Sequence, residues 1–322
     1  PRVADSTSRH HHQVTVTGLA PATQHSYTVA SGGTSASGSV RTAAGPGRAF
    51  TFAAISDFGG GGPAERQNAE RIAGFGGDFL LTVGDNVYPS SGFVDPDVAT
   101  TYADLDARLF EQFTPVLRTQ AFFPANGNKE YYGSEQFWNA FPMPAPGSGW
   151  YGLDWGDAHV LVLDSLRPYG PGSPQYAFAE AELAARQQAA WQIVVVHSPP
   201  YNSTSSPAGG SPGVRRDLVP LFERHGVDLV LSGDSHNYQR SKPLLGGAPA
   251  PGGVTYVLTG GGGNGLNVFS GPMPDWLAYR EASYQSLKVD VSATALTVSA
   301  IAAADGAVLD TVTMSRPANG GS

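Results

Sequence analysis

The chain has 322 residues, 14% of which are charged, and its formal net charge at neutral pH is −8. A chain of this length can bury a large core, and its hydrophobic content of 41% argues against intrinsic disorder. The acidic balance gives no basic surface, so we expect no nucleic-acid partner. The absence of cysteine excludes disulfides, zinc–thiolate sites and a cysteine nucleophile.

Two further features bear on where the protein acts. No apolar run approaches the length of a membrane span, so we expect no membrane partner. The absence of cysteine fits an exported bacterial protein, and the start at Pro1 without a signal-peptide pattern suggests a chain that is processed, trimmed or incompletely represented. We therefore expect a secreted or periplasmic location. The sequence leaves the oligomeric state open.

The first 47 residues contain short segments in which apolar and polar residues alternate. This alternation predicts three strands, which span residues 13–17, 25–29 and 39–42. Three strands are too few for a complete β-sandwich, which takes about seven. A Gly/Pro-rich linker follows at residues 44–47, and we place a domain boundary between residues 47 and 48.

From Phe50 the pattern changes to continuous apolar runs, which are typical of strands buried on both faces. The runs are 50–55, 79–83, 160–163, 193–196 and 229–231. Helical patterns lie between them, near residues 64–75, 99–117, 176–187 and 214–225. This alternation predicts a layered α/β domain over residues 48–322, in which alternating strands return at 285–314.

A glycine run at residues 260–263 follows a predicted strand at 255–258. It lacks the Lys-Ser/Thr pair of a phosphate-binding P-loop. The run is either a flexible turn or a backbone segment that approaches a ligand, and the sequence favours neither interpretation.

Polar side chains suited to metal binding come directly after several of the apolar runs. They are Asp57, Asp85, His197, Asp234 and His236. Ligands in α/β sheets bind beyond the carboxyl ends of the strands, so we expect these side chains to converge. One aspartate after a strand is more often a turn or helix-cap residue, but five such residues together favour a site of oxygen and nitrogen ligands.

Five sequence blocks around these residues resemble those of the purple acid phosphatases, a branch of the metallophosphoesterase superfamily. The family's blocks are Asp-x-Gly, Gly-Asp-x-x-Tyr, Gly-Asn-His-Asp/Glu, Val-x-x-His and Gly-His-x-His. In the same order, this chain has Asp57-Phe58-Gly59, Gly84-Asp85-Asn86-Val87-Tyr88, Gly127-Asn128-Lys129-Glu130, Val194-Val195-Val196-His197 and Gly233-Asp234-Ser235-His236. The resemblance implies a four-layer α-β-β-α metallophosphoesterase sandwich, preceded at residues 1–47 by a partial fibronectin III-like β segment.

The resemblance also implies two metal ions, iron in the first site and zinc, manganese or iron in the second. The first site would use Asp57, Tyr88 and His236, the second Asn128, His197 and Asp234, with Asp85 bridging the two. Two such ions activate water for in-line attack on phosphorus. The implied function is hydrolysis of a small-molecule phosphoester, with Asp85, Lys129 and His197 as catalytic residues.

Two positions depart from the family's pattern. Lys129 stands where the third block has histidine, and Asp234 stands where the fifth block has histidine. Their opposite charges offset one another, which suggests a compensating pair, in one version a direct ion pair that leaves the second metal site weak or empty. Three functions therefore stay open: phosphoester hydrolysis, hydrolysis of a substrate other than a simple phosphomonoester, and non-catalytic binding of metal or phosphate.

The loop after His197 shapes the substrate pocket in the family. The resemblance therefore suggests Tyr201 and Asn202 as substrate contacts, in addition to Asn128 and Lys129 from the third block. For Tyr201 a purely structural role is an equal alternative.

Overall fold

The computed structural model describes residues 1–7, 12–90, 100–131, 135–141, 149–204 and 210–317. The strands are β1 Gln24–Ser31, β2 Thr34–Arg41, β3 Phe50–Ile55, β4 Phe79–Thr82, β5 Ala121–Phe123, β6 Tyr151–Trp155, β7 Ala158–Leu163, β8 Trp191–Val196, β9 Leu229–Ser232, β10 Tyr238–Ser241, β11 Leu244–Leu245, β12 Ala248–Pro249, β13 Thr255–Thr259, β14 Leu277–Glu281, β15 Gln285–Val291, β16 Ala295–Ala302 and β17 Val308–Ser315. The helices are α1 Pro63–Gly74, α2 Tyr102–Leu105, α3 Thr114–Leu117, α4 Asn128–Tyr131, α5 Glu135–Ala140, α6 Pro174–Ala185, α7 Pro212–Asp217 and α8 Val219–His225, with a π-helical turn at Asp106–Phe110. None of these helices is long and apolar enough to cross a membrane.

Most strands belong to two large sheets. One has seven strands in the order β14-β10-β13-β9-β8-β7-β6, and the other has six in the order β17-β16-β15-β3-β4-β5. Part of each sheet is parallel, through β7-β8-β9-β13 in the first and through β3-β4-β5, which reaches the sheet edge, in the second. Parallel strands end at the same edge of a sheet, so the loops that follow them are brought together.

The two sheets pack face to face, and helices cover both outer faces. Side chains alternate along each strand: Phe52 on β3 faces the core between the sheets, and the next residue, Ala53, faces the helical layer of α1 and α3. On β8, Val195 faces the inner core and Val194 faces the layer of α6–α8. The predicted four-layer α-β-β-α sandwich is therefore confirmed, and it explains the apolar runs, because both faces of each sheet are covered.

The N-terminal region contains a two-stranded hairpin, in which β1 pairs with β2 from Gln24↔Arg41 to Ser31↔Thr34. The strand that we predicted at residues 13–17 is wrong, since the structure has no strand there. Val14 is 48% exposed, so the local alternation has neither a sheet to join nor a core to face. The hairpin contacts the larger domain through the Tyr27 hydroxyl, which donates to the Arg118 carbonyl at 3.2 Å. The boundary at residue 47 stays a prediction.

Two predicted helices are interrupted. The segment predicted near 99–117 begins outside the described residues and then runs through α2, the π-helical turn and α3. The segment predicted near 214–225 divides at Leu218, between α7 and α8. Proline stands at the first or second position of both α3 and α8, and its missing N–H favours a new helix start over continuation.

Candidate metal centre

The predicted ligands come together where the two sheets' parallel strands end. Asp57 follows β3 and Asp85 follows β4, whereas His197 follows β8 and the segment from Asp234 to His236 follows β9. The centre is therefore built by both sheets. The fold brings it together from residues that are up to about 180 positions apart in sequence.

Three of the aspartates have unusual backbone geometry. The φ angles of Asp57, Asp85 and Asp234 are 57°, 51° and 68°, and among the non-glycine residues in the described ranges only Ala22 also has a positive φ. Such conformations cost energy for residues with a side chain, and they concentrate at functional sites. Here each one turns the chain sharply after a strand and directs a carboxylate towards the centre.

One half of the centre surrounds the hydroxyl of Tyr88. This oxygen lies 3.4 Å from Asp57 Oδ1, 3.1 Å from Asp85 Oδ2 and 3.3 Å from His236 Nε2. His236 Nε2 also lies 3.4 Å from Asp57 Oδ1. These are the residues that the resemblance assigns to the first metal site, together with the bridging carboxylate.

The other half surrounds Nε2 of His197. This nitrogen lies 3.5 Å from Asp85 Oδ1, 3.9 Å from Asp234 Oδ1 and 3.4 Å from Asn128 Oδ1. One ligand atom each from Asp57, Asp85 and His197 lie within 4.8 Å of one another, and all three residues are buried. Asp85 contributes an oxygen to each half, so it stands between them.

Backbone carbonyls fix the orientation of both imidazoles. His197 Nδ1 lies 2.7 Å from the Val83 carbonyl, and His236 Nδ1 lies 2.7 Å from the Gly265 carbonyl. Because a carbonyl can only accept, each Nδ1 carries the proton and donates it. When the imidazoles are neutral, each Nε2 is left with a lone pair directed at the carboxylates, which is the arrangement of metal-bound histidines.

Glu130, the last residue of the third block, holds the second block in position. Its Oε2 accepts hydrogen bonds from the N–H groups of Asp85 and Gly127, both at 2.9 Å. Its Oε1 accepts from the N–H groups of Asn86 at 2.8 Å and Val87 at 3.2 Å. Burial, followed by the nearby Asp85 carboxylate, raises the pKa of Glu130 to about 7. This role is not evident from the sequence, although the acidic fourth position of the block is.

The pKa shifts of His197 and Tyr88 indicate that the nearby carboxylates make the cavity strongly negative. Burial opposes protonation of His197, but the carboxylates of Asp85, Asp57 and Asp234 outweigh it and raise its pKa to about 9. Burial and two of the same carboxylates raise the pKa of the Tyr88 hydroxyl well above its ordinary value. The centre therefore holds protons where a cation would fit, and ionisation of Tyr88 would require a strongly charged cation beside it.

The chemistry of the donor set fits metal ions. Three carboxylates, two imidazole nitrogens, a phenol and an amide each lie within 3.9 Å of at least one other member of the set. In this arrangement Asn128 Oδ1 faces only acceptor atoms. Acceptors that face one another repel unless a proton or a cation lies between them. Carboxylate, phenolate and imidazole are the ligands that iron, zinc and manganese take in proteins.

The glycine run packs beneath the centre. A Cβ atom on Gly260 would lie 2.1 Å from the Ser235 carbonyl oxygen, and one on Gly262 would lie 2.1 Å from the Ser56 carbonyl oxygen. Directly after the run, the N–H of Asn264 donates to the Asp57 carbonyl at 3.1 Å. The run is therefore a tightly packed support for the loops that carry Asp57 and His236, which differs from both interpretations that the sequence left open.

The two substrate contacts suggested for the loop after His197 are engaged elsewhere. Tyr201 is 7% exposed and packs against Tyr256 and Trp276, with ring centroids 4.7 and 5.7 Å away. Asn202 is 2% exposed, and its amide nitrogen donates to the Ser235 hydroxyl at 2.7 Å. Both side chains serve packing and internal hydrogen bonding in this structure, and contact with substrate stays a prediction. Residues 205–209 of the same loop lie outside the described residues.

Comparison with known proteins agrees with the fold and the centre. Residues 50–238 match the model of the calcineurin-like phosphoesterase family, and residues 253–311 match that of the iron/zinc purple acid phosphatase-like protein C family. Purple acid phosphatase 1 of Ipomoea batatas is 34% identical over 179 residues, which are 48% of this chain and 37% of that protein. Probable inactive purple acid phosphatase 1 of Arabidopsis thaliana is 28% identical over 275 residues, 74% of this chain and 43% of that protein.

The chain thus spans less than half the length of these two curated relatives. Among solved structures, the purple acid phosphatase from seeds of yellow lupin (Lupinus luteus) superimposes with a TM-score of 0.81 at 22% identity, over 92% of this chain and 60% of that one. This likeness shows a shared fold. Since the first family model alone covers more than half of the chain, the chain belongs to the calcineurin-like phosphoesterase family, as a purple acid phosphatase-like member.

Proposed function

We propose that this chain is a metal-dependent hydrolase of small-molecule phosphoesters. One observation carries the proposal: Asp85 lies between two groups of ligand atoms, one around Tyr88 and one around His197. A carboxylate in this position can bridge two cations held a few ångströms apart, as binuclear hydrolases require.

The two halves of the centre suit different ions. The first position would be held by Asp57, Tyr88 and His236, where carboxylate and phenolate oxygens favour a trivalent ion such as iron(III). The second position would be held by Asn128, His197 and Asp234, a neutral amide, an imidazole and a carboxylate that favour zinc, manganese or iron(II).

Bound metal ions would supply positive charge for the phosphate oxygens and lower the pKa of a water molecule that attacks phosphorus. The chain's own residues orient the reactants. The side chains of Asp57, Asp85 and His197 are at most 3% exposed, whereas those of His236 and Asp234 are 19% and 34% exposed. Substrate would therefore approach across His236 and Asp234.

Lys129 contributes a positively charged side chain to the centre. Its Nζ lies 3.7 Å from Asp85 Oδ2, and its side chain is 11% exposed. Its three N–H donors can bind phosphate oxygens, as the family's histidine would at this position. A lysine is a weaker proton donor or acceptor near neutral pH than a histidine, so we expect the leaving group to depend less on proton transfer from this residue.

A second candidate follows from the same substitution. Lys129 and Asp234 replace two histidines of the family's pattern, and a relative named as probably inactive matches 74% of this chain. A hydrolase for substrates with better leaving groups, or for diesters, would need less help from a proton donor. A protein that binds metal or phosphate without turnover is the third alternative.

Turnover of an aryl phosphate monoester and an aryl phosphate diester tests the proposal. We expect wild-type activity that depends on added Fe, Zn or Mn, and a loss of at least about 100-fold in Asp85→Asn. Asp275→Asn, an exposed aspartate, is the matched control and should retain activity. Diester turnover alone would favour the second candidate. If no metal supports turnover of either ester, the hydrolase proposal is wrong.

We also propose that residues 1–47 are part of a fibronectin III-like β domain and that residues 48–322 form the catalytic domain. The β1–β2 hairpin and the exposed linker at 44–47 support this division. Limited trypsin digestion should cleave first at Arg48, and initial cleavage within β3–β17 would contradict the division. We also propose a secreted or periplasmic location, with which the cysteine-free composition is compatible, and fractionation of the native source would test it.

A further inference from the structure

The Lys129 ammonium lies inside the cluster of proposed metal ligands. Its Nζ lies 3.7 Å from Asp85 Oδ2 and 5.3 Å from the centroid of the Tyr88 ring. The backbone N–H of the same residue donates to Asp85 Oδ1 at 3.0 Å. Lys129 therefore contacts both oxygens of the carboxylate that would bridge the two metal positions.

The amide of Asn128 can satisfy either a metal ion or this ammonium. With its oxygen towards His197, Oδ1 lies 3.4 Å from Nε2 and faces only acceptors, while its nitrogen faces the Lys129 ammonium, which is also a donor. After a half-turn, the amide nitrogen donates to both oxygens of Asp85 at 3.2 Å, and the amide oxygen accepts from Lys129 Nζ. The second orientation satisfies both ends of the amide within the protein, whereas in the first orientation Oδ1 requires a cation or a proton beside it.

The first orientation is the one that a metal ion requires. A cation between Asn128 Oδ1 and His197 Nε2 removes the repulsion among acceptors, because it binds them all. It also leaves the Asn128 nitrogen against the ammonium, which must then move away. The second orientation needs no metal, because Asn128 and Lys129 complete each other's hydrogen bonds.

We infer that Lys129 competes with the second metal ion for the amide oxygen of Asn128, so that the chain holds one metal ion tightly and the second weakly. The inference rests on the proposed metal-binding function. The observation that supports the inference is the position of the Asn128 amide between Lys129 Nζ and His197 Nε2. The first position is affected less, since Asp57 and His236 do not share the Asn128 amide in either orientation.

Titration of the metal-free chain with Zn²⁺ and, separately, Mn²⁺ by calorimetry tests the inference without any measurement of activity. We expect the wild-type chain to bind one equivalent tightly and a second more weakly. Lys129→Met should tighten the weaker equivalent by about tenfold or more, the scale of one charge-assisted hydrogen bond. The affinity of the tighter equivalent should change less, because the Asn128 amide belongs to the second position alone.

Two further variants separate charge from packing. Lys129→Arg keeps a positive donor at this position and should leave the second equivalent weak. Lys242→Met, an exposed lysine away from the centre, should match the wild type. Equal affinity of the weaker equivalent in wild type and Lys129→Met would overturn the inference while the proposed function stands. If the wild-type chain binds no metal ion, both the inference about Lys129 and the proposed metal-dependent function are wrong.

Discussion

The carboxylate of Glu130 accepts a hydrogen bond from the backbone N–H of Asp85 at 2.9 Å. The contact ties the third sequence block to the second, since Glu130 lies in α4 and Asp85 follows β4. Asp85 has a positive φ of 51°. The buried carboxylate therefore stabilises a strained turn at the residue that would bridge the two metal positions.

Replacing Glu130 by glutamine should destabilise the protein and weaken metal binding. One carboxylate oxygen would become an NH2 group that faces two backbone N–H donors, those of Asp85 and Gly127 or those of Asn86 and Val87, and leaves both without an acceptor. We expect a loss of about 2–3 kcal/mol in the free energy of unfolding, measured by urea titration. Glu180→Gln, at an exposed position of α6, is the matched control. An unchanged unfolding midpoint in Glu130→Gln would refute this role.

A second prediction concerns the glycine run. Gly262→Ala would bring a Cβ atom to 2.1 Å from the Ser56 carbonyl oxygen, so the loop that carries Asp57 has to shift. We expect lower stability, by about 2 kcal/mol or more, and weaker metal binding. Gly265→Ala is the matched control from the same segment, because a Cβ there meets nothing within 4 Å. Equal melting temperatures for the two variants would show that the packing of the run does not support the centre.

A third prediction concerns Glu65, a fully buried residue of α1 whose Oε2 accepts from the Gly61 N–H at 2.6 Å. Burial raises its pKa from 4.5 to about 8. Since the folded state prefers the protonated form, the stabilisation is complete below about pH 4.5 and is lost as the pH rises through about 8.

Glu65→Gln should remove this dependence. Each pKa unit corresponds to about 1.4 kcal/mol, so the wild type should lose a few kcal/mol more than the variant between pH 5 and pH 8.5. Urea titrations at the two pH values measure the difference. Glu70→Gln, an exposed position on the same helix, should follow the wild type. If Glu65→Gln loses stability with pH as steeply as the wild type, Glu65 ionises normally.

Much of the fold was predictable because its signals are local. The strand at Phe50–Ile55 consists of six consecutive residues, five of which are buried, and such a run predicts a central strand without knowledge of its neighbours. The edge strand β14 has no such run of buried residues. In β14, Leu277–Glu281, only the first residue is buried, and the polar residues after it do not alternate clearly. The false strand at residues 13–17 shows the opposite error, because local alternation does not supply a partner strand.

The centre was predictable for residues that lie directly at strand ends. The positions of Asp57, Asp85, His197 and His236 follow from the edge at which the parallel strands meet. The packing partners of Tyr201 and Asn202 could not be predicted, because loop side chains are oriented by contacts from other segments, here Tyr256 and Ser235. Nor could the sequence show that Glu130 would accept four backbone N–H groups, since that depends on the path of a distant loop.

The most direct test of the account is the metal content of the wild-type chain, purified without chelator and analysed for its elements, together with its visible spectrum. The account predicts at least one transition-metal ion per chain. If that ion is iron(III), it predicts a visible tyrosinate–iron band that disappears in Tyr88→Phe. Metal content no higher than that of Asp85→Asn, even after incubation with iron and zinc, would contradict the claim that these residues form a metal centre.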